Sequence, residues 1–425
     1  MNRLNLLTLL TLLAAAQAAQ EVAANGFRLA GQDALATARG EAFVATADNS
    51  SAVYYNPAGL TQLTNTSIRS GIYGIYLDPT FQPPAHRANS GNTYTINDQL
   101  AAVPQLFATH TLRKLPLSFG VGLYAPYGGS MGWPDNTGFR TVATKGALTY
   151  LRLSPAVAYQ MLPSLSLGVG AMLDYAKIDL EQGLRPAAVP LVNYFHFSGD
   201  GYSVGYNVGL RWQPLEKISL GATFRSATRL GFDGRTEFEQ QPIIRADERA
   251  AHMDLKFPWT AVLGLSYRPT PKWNFEVDAD YTDWSSFGQT SIQQQTPVPY
   301  PMNRTGNVPV TLDWQASWMY EFGVTRYFDN HWHVSAGYVF NQSSVPDKYY
   351  TPLAADLDRH FFSLGAGFQG RRWRFDLAYQ FGYGPAHTVT GSTPSSSPGL
   401  FAGQNADGTY DFISHAIMLT WGLQF

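Results

Sequence analysis

The feature that most constrains this chain is period-two alternation held for nine to twelve residues at a time. Trp373, Phe375, Leu377, Tyr379, Phe381 and Tyr383 form one face of a run whose other face carries Arg372, Arg374, Asp376 and Gln380. Trp273, Phe275, Val277, Ala279 and Tyr281 repeat the pattern against Lys272, Asn274, Glu276, Asp278 and Asp280. Successive side chains of a strand point to opposite faces, so each run is a strand with one apolar and one polar side. Strands of soluble sheets are about 5–6 residues long. Runs of nine to twelve are what a tilted strand needs to cross a bilayer, and aromatics gathered at the run ends suit the two membrane interfaces. Charges that alternate with such a face belong inside a closed wall, because the lipid side would not accept them.

Fourteen runs can be counted: 66–81, 100–113, 115–127, 148–162, 164–182, 199–213, 216–235, 250–268, 271–287, 309–327, 330–344, 357–369, 371–387 and 410–425. Short turns alternate with long connections near 82–99, 128–147, 183–198, 236–249, 288–308, 345–356 and 388–409. That is the rhythm of short periplasmic turns and long outer loops. The expected fold is an all-β membrane protein, a 14-stranded antiparallel transmembrane β-barrel over residues 66–425. An even strand count returns both ends to the periplasmic side. The last run alternates through Ile417, Leu419, Trp421 and Leu423 to a terminal Phe425, the ending that barrel assembly machinery recognises.

Residues 1–19 read as a secretory signal peptide, with Arg3, an apolar run and small residues before cleavage after Ala18 or Ala19, or as late as Ala24. The run is too short to span as a helix, and no later stretch of 18 apolar residues appears. Residues 25–65 differ from all that follows. Small residues and helix formers dominate, and Asp48 or Asn49 can cap a short turn through Ser50–Tyr55 that Asn56-Pro57 ends. This partly helical piece is expected to be a hatch inside the barrel. Charged residues are only 14% of the chain, against about 25% in soluble domains. The net charge of −2 offers nothing to nucleic acid. The absence of cysteine excludes thiol catalysis, disulfides and cysteine-held metal.

Several short motifs follow one another in a fixed order. They are Gly26-Phe27-Arg28-Leu29, Ala38-Arg39-Gly40-Glu41-Ala42, Asp48-Asn49, Asn56-Pro57-Ala58 and the stretch GVGLYAPYG at 120–128. Asp283-Trp284-Ser285, Ser343-Ser344-Val345-Pro346 and Asp356, Asp358 and Arg359 come later. Together they resemble the FadL family of outer-membrane transporters of long-chain fatty acids and hydrophobic compounds, which includes toluene-type aromatic hydrocarbon porins. Ala355 departs from the pattern, where relatives often carry proline. The resemblance implies passive inward diffusion of hydrophobic small molecules across a bacterial outer membrane, through a hydrophobic pocket and a lateral gap in the wall. It implies a single barrel without cofactor, metal or catalysis, whose surroundings are outer-membrane lipid and lipopolysaccharide. Long-chain fatty acid comes first as substrate and aromatic hydrocarbon second. A general diffusion porin is a third reading, which a hatch argues against.

The candidate residues follow from these two lines. Phe27 and Leu29 are expected to reach a ligand pocket from the hatch's free end. Asn56, Pro57 and Ala58 are expected to hold the hatch's shape. Pro126 ends an otherwise good strand and cannot donate a ladder bond, which fits either a kink that opens the wall or the strand's turn into its outer loop. The resemblance implies a lateral opening there, at Tyr124, Ala125, Pro126 and Gly128. Inward charges such as Glu276, Asp278 and Asp280 can anchor the hatch through Arg28 or Arg39. A buried carboxylate needs a cation, for which Lys177 and Arg185 are the candidates. Trp318 and Met319, after Gln315, are further pocket candidates. Gly201–Gly205 fits a nucleophile-elbow spacing, but alternation continues through it, so Ser203 is a strand residue.

Overall fold

The computed structural model describes residues 27–87, 89–112, 114–185, 193–241, 244–295, 307–354, 356–394 and 403–425. The signal-peptide segment, Asn25, Gly26 and Ala355 lie outside them. Twenty β-segments join in one antiparallel sheet. Five wall strands are each split in two, and Tyr94–Thr95 is a short addition in a loop, so the wall has fourteen strands. In order these begin with Ser67–Gln82, Leu100–Thr111, the split Leu117–Tyr124 and Gly129–Gly132, Lys145–Leu162, Leu165–Gly183 and Asn193–Leu215. The next four are all split, at 226–227, 258–259, 283–288 and 312–316. Trp332–Asn341, Arg359–Gln369, Trp373–Val389 and Gly408–Gln424 complete the wall. The first strand pairs with the last from Ser67 opposite Gln424 to Gln82 opposite Thr409, which closes the barrel. No helix among the described residues is long and apolar enough to cross a membrane.

The two faces of the wall are inverted relative to a soluble protein. Along the thirteenth strand Trp373 is 54% exposed and Leu377 41%, while Asp376 is 1% exposed. Along the ninth, Phe275 and Val277 face outward, and Glu276, Asp278 and Asp280 are buried in the bore. Arg372 is a correction to the reading of inward charges: it is exposed in the turn before the thirteenth strand. The sixth and eighth strands start at Asn193 and Ile244, several residues beyond the alternating runs. These ends stand above the membrane, where no apolar face is needed to mark them.

Residues from Phe27 to about Gln62 lie inside the bore and are almost all buried. They form a helix Ala34–Ala38, whose leading N–H at Leu35 is accepted by Asp33 at 3.0 Å, and a second, Ala52–Tyr55. The second helix starts two residues later than expected, with Ser51 rather than Asp48 or Asn49 at its N-cap, and Asn49 accepts from the Ser51 N–H at 2.8 Å just ahead of it. Asn56 takes extended geometry ahead of the 3-10 turn Pro57–Gln62 and accepts from the Ala58 N–H at 3.1 Å. Its amide donates to the Val44 carbonyl at 2.9 Å and to Leu210 of the sixth strand at 3.0 Å. The wall makes room for this corner with two glycines. A Cβ on Gly168 would lie 2.4 Å from the Ala58 nitrogen, and one on Gly209 would lie 2.2 Å from the Asn56 oxygen.

Candidate functional site: two cavities and a break in the wall

The hatch is fixed from below by charge. Glu276 accepts from Arg39 at 2.9 Å and from the Ala45 and Thr46 N–H groups at 2.7 and 3.1 Å. Asp278 accepts from the N–H groups of Phe43 and Val44, both at 2.9 Å. Arg69 bridges Asp33 of the hatch and Asp376 of the thirteenth strand, the latter at 2.7 Å. Three consecutive inward positions of the ninth strand thus hold the plug, because Arg28 reaches Asp280 and Thr282 at 2.8 Å each. Charges this deep persist only when paired. Glu41 forms no ion pair among the described residues: it accepts from the Tyr55 hydroxyl at 2.7 Å, and burial pushes its carboxyl up to about 7.

Above this layer the bore turns apolar. An outer cavity of about 350 Å³ is walled by Phe27, Ile178, Leu180, Phe195, Met253, Leu255, Phe287, Ile292, Val308 and Trp314. Phe27 stacks on Trp314 with ring centres 5.6 Å apart. Two polar atoms of this wall, Trp314 Nε1 and the Tyr350 hydroxyl, are buried without a hydrogen-bond partner. Lys348 stands exposed at the rim, its ammonium 5.1 Å from the Tyr349 ring centre. An inner cavity of about 50 Å³ lies below, lined by Leu29, Ile75, Leu77, Met319, Val339, Asn341, Phe361 and Phe412 among others. The leading residues of the hatch border both, Phe27 the outer and Leu29 the inner.

The third strand is interrupted from Ala125 to Gly128. Below the interruption it pairs with the second strand, Leu106 opposite Leu123 through Thr111 opposite Ser118. Above, Gly129–Gly132 forms its ladder with the fourth strand, and Gly132 also accepts from the Asn97 N–H of the first outer loop at 2.8 Å. The upper edge of the second strand has no wall partner on that side among the described residues. The interrupted backbone is satisfied from inside the bore instead. Pro126 accepts from the Leu29 N–H at 2.9 Å, Gly128 donates to Phe27 at 2.8 Å, and Ala125 accepts from the Gln32 amide at 2.8 Å. Irregular backbone at membrane depth survives only where protein or a cavity covers it. Here the hatch is that cover.

The sequence-derived candidates divide accordingly. Phe27, Leu29 and Met319 line cavities; Tyr124 is fully buried beside the interruption, stacked on Phe107 at 5.7 Å. Trp318 faces away, 39% exposed on the lipid side beside Tyr281 and Tyr320. Lys177 is exposed on the outer face of the fifth strand, where Ala176 and Ile178 turn inward. Arg185 lies in the loop beyond that strand, where its carbonyl accepts from Arg140, and lines neither cavity. Trp314, Tyr350, Lys348 and Asn341 were not anticipated. The first three stand in irregular segments without periodicity, and Asn341 is a polar residue at a strand's upper end.

A barrel whose third strand breaks beside its own plug, with apolar cavities above that plug, suits oily solutes better than ions. It defines a bacterial outer-membrane channel for hydrophobic compounds, a transporter rather than an enzyme. The chain belongs to the outer membrane protein transport protein (OMPP1/FadL/TodX) family, which it matches over residues 15–425. It is 23% identical over 359 residues to a long-chain fatty acid transport protein of Escherichia coli, covering 76% of this chain and 78% of that one. In structure it is similar to a Pseudomonas aeruginosa FadL homologue, with TM-score 0.81 at 18% identity, over 94% of this chain and all of the other. The Pseudomonas putida toluene transporter TodX follows the same fold, with TM-score 0.69 at 16% identity, over 95% of this chain and all of the other.

Proposed function

We propose that this channel passes long-chain fatty acids inward by diffusion, from the outer cavity past the leading hatch residues and out sideways between the second and third strands. The observation that carries the choice of substrate is the outer cavity's mixture of apolar wall and unused donors. Trp314 N–H and Tyr350 O–H point at no acceptor, and Lys348 adds a positive charge at the rim. A fatty carboxylate supplies the acceptor and the negative charge, and its chain fills the rest. Phe27 and Leu29 are the movable partition between the cavities, and Ala125–Gly128 is the exit once their backbone bonds release. Tyr124 shapes the lower edge of that exit. The hatch body, held through Asn56, Pro57 and Ala58, stays in place, and the molecule works as a single barrel in outer-membrane lipid.

An aromatic hydrocarbon is the second reading, favoured by the rings of Phe27, Phe287 and Trp314 around the outer cavity. Growth on oleate against toluene of a transport-deficient strain carrying this gene separates the two. Lys348→Met, which keeps the stem and removes the charge, is expected to weaken oleate binding about fivefold, as a partly exposed ion pair would. Toluene binding should not change. Complementation on toluene alone, with oleate binding insensitive to Lys348, would reverse the order.

A further inference from the structure

We propose that Asn341 makes the inner cavity a site for an uncharged group that both donates and accepts a hydrogen bond, a hydroxyl or a protonated carboxyl on an alkyl chain. Asn341 faces the bore at the end of the eleventh strand and is 1% exposed, yet neither its Nδ2 nor its Oδ1 has a hydrogen-bond partner. Of the other polar groups around the cavity, Arg28 is engaged with Asp280, Glu41 with Tyr55, and Gln380 with Tyr73 and Ser363, and the Ser414 hydroxyl also borders it. Apolar side chains, Ile75, Leu77, Val339, Phe361 and Phe412 among them, make up most of the remaining wall.

A buried polar group without a partner costs about 1–3 kcal/mol, which a ligand satisfying it returns. A carboxylate only accepts, so it would leave Oδ1 facing a second bare oxygen. Its charge would also sit in an apolar cavity whose one guanidinium is already paired. A hydrocarbon satisfies neither atom. A hydroxyl or carboxylic acid satisfies both. The cavity's volume of about 50 Å³ suits a head group rather than a whole chain. The two cavities therefore select different forms of one substrate. The outer one, with free N–H and O–H donors and a rim ammonium, takes the anion; the inner one takes the neutral acid. On leaving the outer cavity the carboxylate takes up one solvated proton, RCOO⁻ + H₃O⁺ → RCOOH + H₂O. It then reaches the wall break in the form that dissolves in lipid.

This inference rests on the uptake reading above, and one calorimetric experiment separates their failures. Full-length protein held in amphipol is titrated with 1-dodecanol and with dodecane sulfonate, which stays ionised. Asn341→Leu should weaken dodecanol binding about tenfold, the equivalent of one net hydrogen bond, and leave the sulfonate unchanged. Asn341→Asp, with the same shape but acceptors only, can still accept the alcohol's O–H but donates nothing to its oxygen, so it should weaken dodecanol binding while keeping the heat-modifiable mobility of a folded barrel. Equal weakening of both ligands by Asn341→Leu would make the residue merely structural. Unchanged dodecanol binding would mean that the cavity holds water only. Either result overturns the inference. Failure of wild-type protein to bind either ligand would overturn the uptake reading itself.

Discussion

The lower and upper halves of this bore are built on opposite principles. Below, the ninth and thirteenth strands turn Glu276, Asp278, Asp280 and Asp376 inward, and nearly every one meets a hatch residue or an arginine that bridges to it. Above, the inward positions become Leu230, Phe232, Met253, Leu255, Phe257 and Phe412, and space is left open. The plug is directional and specific where charges hold it. The cavities adapt to what enters them because dispersion and hydrophobic contact have no preferred partner. Locking and carrying are thereby separated within one tube, and the leading segment of the hatch, Phe27 to Gly31, is where they meet.

The sharpest way to break that division is to unlock the lower half. Glu276→Leu removes the acceptor of Arg39 and of the Ala45 and Thr46 N–H groups. Breaking a buried pair on one side costs about 3–5 kcal/mol because the other charge is left stranded. The hatch should leave the bore while the wall, whose ladder is untouched, stays folded. Planar-bilayer recording should then show a steady ion current absent from the wild type. A silent Glu276→Leu channel would mean that the charged layer is not what retains the plug.

The next effect depends on pH. Glu41 is a hatch carboxyl whose neighbours are Tyr55, Thr37, Asp33 and Arg28, and burial moves it from 4.5 to about 7. Its docked form therefore binds more protons than its released form between those values. Docking is favoured below pH 4.5, weakens as pH rises, and levels off above 7, a change of about 3 kcal/mol over the window. Protease cleavage within the hatch of the folded barrel should rise about a hundredfold between pH 4.5 and 7.5. Glu41→Gln, which still accepts from Tyr55, should flatten the curve. An unchanged slope in that variant would assign the titration to another group.

Much of the lower half was legible because alternation is a strict rule. Once Glu276 is read as inward, Asp278 and Asp280 must follow. The same rule, pressed further, excludes two of the expected site residues. Glu321 belongs inside, so Trp318, an odd number of positions away, faces lipid. Asp174 belongs inside, so Lys177 faces out. The upper half was less legible because its lining comes partly from interruptions. Trp284 and Phe287 lie in the break at 283–288, and Trp314 lies in that at 312–316, beside Asp313 with its positive φ of 41°. In such segments the chain leaves the ladder, and no periodicity reports which way a side chain turns. The pairing of Ala125–Gly128 with Phe27–Gln32 joins residues about a hundred positions apart, which Pro126 could mark but not match to a partner.

The smallest effect tests the seam between the halves. Phe27 gives the outer cavity its floor through the stack on Trp314, while its carbonyl, independent of the side chain, accepts from Gly128 in the wall break. Phe27→Ala keeps that backbone bond and removes only the ring. An aromatic pair adds about 0.5–1.5 kcal/mol beyond its buried area, so oleate affinity should fall by roughly three- to tenfold. Thermal unfolding of the barrel should not move, because fourteen closed strands do not depend on a ring at the edge of a cavity. Phe27→Leu should recover part of the loss through size alone. If Phe27→Ala instead lowers the unfolding temperature and leaves oleate affinity intact, the leading segment belongs to the lock rather than to the carrier, and the boundary between the halves lies above it.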